Sequence, residues 1–270
     1  MGGVLNRLNL FVKGNLDVRD TLHSLRIGGR IVWNGVNAVV RERRRDWTIR
    51  VQHETCSRSD ALLEATGAIP PELAARDLHL GPRSLESQFS TAFFDSPAEA
   101  VVLTLQPDLM TALWRHRRDG YPFYPETWWE WPQPDQAWLA ANFDPVEPLG
   151  CDAAMQALAA VVARRQARSA APILIYNVSA AVPGELIHSH LGLEDILSTR
   201  IRRFNLGLIE LSQKTGVSII DVDTILARAG ADRLKLDALH LKAEGCRLVA
   251  ETVVQVLDEL GLFAAKETAA

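Results

Sequence analysis

Five short apolar runs, rich in β-branched residues, alternate with longer helix-patterned stretches, and this alternation constrains the fold more than any other feature of the chain. The runs are NLFVKG (9–14), WTIRVQH (47–53), AVVLTLQ (100–106), PILIYNV (172–178) and VSIIDV (217–222). Each is apolar nearly throughout, the pattern of a strand covered on both faces. Residues 19–43 in part, 151–168, 194–215 and 242–260 carry helical periodicity, with Gly216 and Gly261 as helix stops. Strands joined by helical crossovers predict an α/β fold built on a five-stranded parallel, doubly wound sheet. In such a sheet the site lies beyond the carboxyl ends of the strands, so the residues after each run carry the functional reading.

A chain of 270 residues buries roughly three quarters of its unfolded surface and needs no disulfide frame. One domain spanning 1–270 is the simplest organisation. Its net charge of −4 gives no electrostatic case for nucleic acid or an anionic membrane as partner. The local exception, RERRRDW (41–47), reads first as a solvated helix end. Cys56, Cys151 and Cys246 are unpatterned and read as reduced thiols rather than a zinc site. With neither a secretory h-region nor a membrane-length apolar segment, the expectation is a soluble, cytoplasmic protein acting on a small molecule, without a cofactor.

One stretch breaks the alternation. GYPFYPETWWEWPQPDQAWLAANF (120–143) holds four of the seven tryptophans and is interrupted by proline, so it predicts an irregular excursion at about 120–145. The plain reading is a loop packed over the sheet or a subunit contact, the latter compatible with a homodimer. The functional reading makes it a lid or substrate wall, with Trp128 and Trp129 as candidate contacts.

The strongest chemical signal is DRLKLDALHLKAEGCRLVAETV (232–253). Asp237 and His240 stand three apart in a loop, before a helix that begins around Lys242. A carboxylate placed this way holds an imidazole in one tautomer and stabilises its protonated form during proton transfer. This block, with FNLGLIELSQKTGVSIIDVD (204–223) before it, resembles the closing part of the SGNH, or GDSL, hydrolase family. The resemblance implies a three-layer, flavodoxin-like sandwich, and esterase, lipase or deacetylase chemistry through Ser, His and Asp.

Elsewhere the chain departs from that family. Its first strand ends in Gly14-Asn15-Leu16 where the resemblance implies Gly-Asp-Ser, and a shifted match offers only Asn15 or Asp17. HETCSRSD (53–60) stands where an oxyanion-hole glycine is implied, and LQPDLM (105–110) puts Asp108 near an implied asparagine. An ionised carboxylate at that place repels an oxyanion, so ordinary acyl transfer requires Asp108 to be protonated.

The candidate catalytic set is therefore Asp237, His240, Asn15, Asp17, Asp108 and Cys56. His53, Glu54, Arg58 and Gln106 join Trp128 and Trp129 as candidate substrate contacts. Plainer readings stand beside these: helix caps for Asn15 and Asp17, a small buried hydrophobe for Cys56, and a salt bridge for Arg58. Three functions remain open. The first is hydrolysis or acyl transfer, with His240 activating Cys56 or a water. The second is lyase, isomerase or metal-assisted chemistry through the carboxylates and histidines, to which His188 and His190 add imidazoles, although H-x-H in such a loop reads first as surface. The third is a catalytically inactive binding relative.

Overall fold

The structure is a computed structural model that describes residues 5–185 and 196–264. All five predicted strands form: β1 (Asn6–Lys13), β4 (Trp47–Glu54), β5 (Ala100–Thr104), β9 (Ile173–Tyr176) and β10 (Ser218–Ile220). They make one parallel sheet in the order β10-β9-β5-β1-β4.

Alternate side chains of each strand enter opposite layers, which is why the runs are apolar at successive positions. Leu8, Leu10 and Val12 of β1, with Ala100 and Val102 of β5, face one layer, packed by α1 (Leu16–Leu22), α2 (Val36–Arg43) and the helix Ala243–Glu259. Phe11, Val101, Leu103, Ile173 and Ile175 face the other, packed by α3 (Ser59–Glu64) and the helices Cys151–Gln166 and Leu197–Thr215. Gly216 closes the last of these with φ of 74°, a left-handed conformation that a Cβ disfavours. The helical reading of residues 19–43 is corrected in the middle: β2 (Ser24–Ile27) and β3 (Arg30–Asn34) form an antiparallel hairpin there. Gly28 and Gly29, both at positive φ, make its two-residue turn.

β4 lies at the sheet edge, where an exposed strand invites pairing with another chain. Asn37 of α2 covers part of that edge: its amide nitrogen donates to the Ile49 carbonyl at 2.8 Å, and its amide oxygen accepts from the Ile49 N–H at 2.8 Å.

The aromatic excursion has regular structure of its own. β6 (Leu113–His116), β7 (Pro122–Phe123) and β8 (Phe143–Val146) form a small antiparallel sheet, with a helix over Gln133–Asn142. Phe123, Trp131, Leu139 and Phe143 join Leu73, Leu80 and Phe89 in a third apolar cluster, so the aromatics pack chiefly on one another. Among the described residues no helix is long and apolar enough to cross a membrane.

Candidate functional site at the strand ends

β1 ends at Lys13 and α1 begins at Leu16, so Gly14 and Asn15 form the turn. A Cβ on Gly14 would come within 3.0 Å of the Val18 side chain, so the turn keeps glycine for close approach rather than for an unusual φ. Asn15 sits at the N-cap position of α1, but its side chain does not cap the helix. Instead its amide nitrogen donates to Gln106 Oε1 at 2.9 Å, and its oxygen accepts from the Cys56 backbone N–H at 3.2 Å. One buried side chain thereby ties the ends of β1, β4 and β5 together. Asp17 turns inward and accepts from the Thr104 hydroxyl, while its second oxygen is buried without a partner. Burial raises its pKa, against hydrogen bonds from Thr104 and neighbouring backbone groups.

Around this turn the polar groups largely satisfy one another. Lys13, almost wholly buried, pairs with Glu54 at 2.9 Å and also donates to the Ser87 carbonyl. Burial pushes the Cys56 thiol up to about 12, so at neutral pH it holds its proton, which disfavours a thiolate there. Arg58 is 1% exposed, paired with Asp60 at 2.7 Å, and donates to the Thr111 and Glu147 carbonyls. It is a structural brace rather than a ligand contact. Asp108 accepts from the Ser59 backbone N–H at 2.8 Å and the Ser59 hydroxyl at 2.7 Å, while burial holds its pKa near 6. Its carboxylate therefore serves the start of α3. Trp128 packs edge-on to Trp114 and Trp129, Trp129 is largely exposed, and neither lines the openings described next.

The Asp237–His240 loop is held differently. His240 Nδ1 lies 2.7 Å from Asp237 Oδ2, and Asp237 Oδ1 accepts from the backbone N–H groups of Leu239 and His240, each at 2.8 Å. Burial acts to raise the Asp237 pKa, but these hydrogen bonds outweigh it and hold it at about 2. Asp237 is thus an anion at neutral pH, which fixes the imidazole proton on Nδ1 and leaves Nε2 as the basic nitrogen. Among the described residues Nε2 makes no hydrogen bond, and His240 is 35% exposed. Ala238 and Leu239 of this loop share a cavity of about 20 Å³ with Asp17 and Gln106, so the loop abuts the β1 and β5 ends.

Three residues beyond the sequence reading contribute here. Lys235 is almost wholly buried in the wall of that cavity and donates to the Ala181 carbonyl at 2.5 Å, with burial pulling its pKa down to about 8. On the other side of the β1 turn, Gly14, Asn15 and Leu16 floor a chamber of about 100 Å³ that Arg83 and Glu126, paired at 2.7 Å, also line. Arg83 comes from outside every strand-end motif, so only its place in the fold reveals it.

Among the described residues, the carboxylates and histidines considered for a metal do not gather. Among the described residues the cluster with metal-ligand spacing is Glu72, His116 and Asp119 in the excursion. There His116 Nδ1 accepts from the Asp119 N–H at 3.1 Å and Nε2 faces Glu72 at 3.2 Å, so both ring nitrogens have partners. His188 and His190 lie outside the described residues.

No protein-family model matches the chain, and no curated protein matches it in sequence. Solved structures do match in fold. The acetyl xylan esterase AlAXEase aligns over 93% of this chain and 100% of its own, at 12% identity and a TM-score of 0.52. LAE5, an alpha/beta hydrolase enzyme from the metagenome of Lake Arreo, Spain, aligns over 98% and 100%, at 13% identity and a TM-score of 0.51. A member of the lipolytic protein G-D-S-L family from Veillonella parvula aligns over 93% and 98%, at 12% identity and a TM-score of 0.48. The chain shares the α/β fold of these hydrolase and esterase structures, and at such identities the likeness speaks for fold alone.

Proposed function

We propose that the chain is a hydrolase that cleaves an ester or related acyl bond of a small or medium polar metabolite, with His240 as general base and water as the attacking group. The reading rests on one observation, the 2.7 Å bond that His240 Nδ1 donates to Asp237 Oδ2, which leaves Nε2 without a partner among the described residues. The fold adds support at the coarser level, since its neighbours include named esterases. Water is the nucleophile in this reading because Leu16 occupies the serine position and Cys56 stays a thiol.

In the proposed reaction, Nε2 takes a proton from a water as the water oxygen bonds to the acyl carbon, and the carbonyl electron pair moves to its oxygen. Asp237 stabilises the imidazolium so formed. Collapse of the tetrahedral adduct re-forms the carbonyl and breaks the bond to the leaving oxygen, which takes the proton back from Nε2. The products are a carboxylic acid and an alcohol. Burial of Asp108 against Ser59 removes one objection to this chemistry, because its charge is engaged by α3.

A panel of short acyl esters finds a substrate, and a single turnover in ¹⁸O-water then tests the mechanism. Direct attack by water puts one ¹⁸O into the acid product of the first turnover. An unlabelled first product, with label appearing in the protein, means that a carboxylate such as Asp17 attacks instead. Absence of turnover across the panel defeats the esterase form of the reading and favours a binding role for the fold.

A further inference from the structure

A groove of about 1100 Å³ runs from α1 and β2 across the end of β4 to residues 82–95. It adjoins the chamber above the β1 turn, because Arg19, His53, Thr55 and Pro82 line both. In its wall lies a histidine pair whose protons can be assigned one after another. His53 Nε2 is 2.9 Å from the Gly14 carbonyl oxygen. A carbonyl only accepts, so Nε2 carries the proton, and in a neutral ring Nδ1 is then bare. That bare nitrogen is 3.2 Å from His23 Nε2, which must be the donor. The two rings lie 14° from parallel with centroids 5.3 Å apart, so the nitrogens meet at the ring edges. His23 therefore holds its one proton on Nε2, and its Nδ1 keeps an open lone pair.

Neutrality of both rings is what makes this chain of assignments hold. Burial lowers the pKa of His23, with Arg19 adding to the effect. Burial likewise holds His53 at about 4, with His23, Arg19 and Lys13 acting in the same direction. The nearby acids oppose this little, since Asp20 of α1 pairs with Arg19 and Glu54 of β4 pairs with Lys13. No hydrogen bond occupies His23 Nδ1 among the described residues, and His23 lines the groove.

We propose that His23 Nδ1 is a substrate-facing hydrogen-bond acceptor, its tautomer fixed from the β1 turn through His53, and that it receives a hydroxyl or amide N–H on the leaving-group side of the substrate. The assignment of sides rests on the hydrolase reading above, which puts the acyl bond beside His240 and leaves the larger remainder for the groove that His23 lines. A ligand that offers only acceptors gains nothing at this nitrogen, so the position selects for donors.

The tautomers are read from long-range ¹H–¹⁵N correlations of ¹⁵N-histidine-labelled protein at pH 7. Both His23 and His53 are expected as the Nε2–H form, and a His23 ring protonated at Nδ1 overturns the proposal. Titration of glycerol monoacetate into the His240→Ala variant is expected to move the His23 Nδ1 resonance upfield; a stationary resonance at saturation overturns the binding half, whether or not the wild type turns over any ester. With turnover, the preference for glycerol monoacetate over 4-nitrophenyl acetate, as a ratio of kcat/KM, is expected to fall about tenfold in His23→Phe, as suits one lost hydrogen bond. It is expected to recover in part in His23→Gln, which restores an acceptor. An unchanged ratio in His23→Phe overturns the proposal even though the hydrolase reading stands.

Discussion

The Asp237–His240 loop and the neighbouring ends of β1, β4 and β5 are built from the same kinds of residue and use them in opposite ways. In the loop, Asp237 turns both oxygens to its own segment and leaves His240 Nε2 available. At the strand ends, Asn15 bonds to Gln106 and the Cys56 backbone, Glu54 to Lys13, Asp108 to Ser59, and Arg58 to Asp60. One region orients an imidazole, and the other knits three strands. Polar residues after a strand are thus two populations, told apart by whether their hydrogen bonds end inside the protein.

The comparison breaks most readily at its reactive side. His240→Ala is expected to lower kcat/KM by at least about a hundredfold, the scale of a lost general base, with little change in urea midpoint. A loss below about threefold would put His240 with the structural residues. On the knitted side, Arg58→Met leaves Asp60 and two carbonyls without their cation, and a loss of about 3–5 kcal/mol is expected from urea unfolding.

Asp108 gives a smaller, pH-dependent effect. Its pKa is near 6 in the folded protein against an ordinary value of 3.8, so between these values the folded state keeps a proton that the unfolded state has released. Stability conferred by the protonated form therefore falls as pH rises through that window, by about 2–3 kcal/mol at most. Asp108→Asn has no such titration, so its stability relative to wild type is expected to rise by that amount between pH 4 and pH 7 in parallel urea melts. A constant difference across the window would mean that the carboxylate is already ionised. The smallest effect is at Cys56: with a pKa near 12, iodoacetamide at pH 8 is expected to modify half-buried Cys151 first and Cys56 only on unfolding, as followed by peptide mass mapping. Native labelling of Cys56 at the Cys151 rate would move it back among the reactive groups.

The fold was legible because the strands announce it twice, by composition and by spacing. VVL in β5 has to be buried on both faces, and helical stretches of crossover length separate the runs. The β2–β3 hairpin escaped because Ile27, Ile31 and Val32 are exposed, so no buried alternation marks it; only the Gly28-Gly29 turn signals it. The pairing of Asp237 with His240 was legible because both partners lie in one loop. Arg58 and Asp108 are hard to read for the converse reason: the Thr111 and Glu147 carbonyls that Arg58 meets, and the Ser59 N–H and hydroxyl that Asp108 meets, come from distant parts of the chain. His23 was invisible because its chemistry is set by a backbone oxygen two residues of hydrogen bonding away.

The Asn37 amide at the edge of β4 has a consequence for how the chain avoids itself. Its two bonds to Ile49 imitate one rung of a further strand, and Asn37 can reach them only from the first turn of α2. Docking of that helix and shielding of the sheet margin are therefore a single event. Before it, β4 offers an open template to other nascent chains, so the interval between strand pairing and helix docking sets the exposure to self-association.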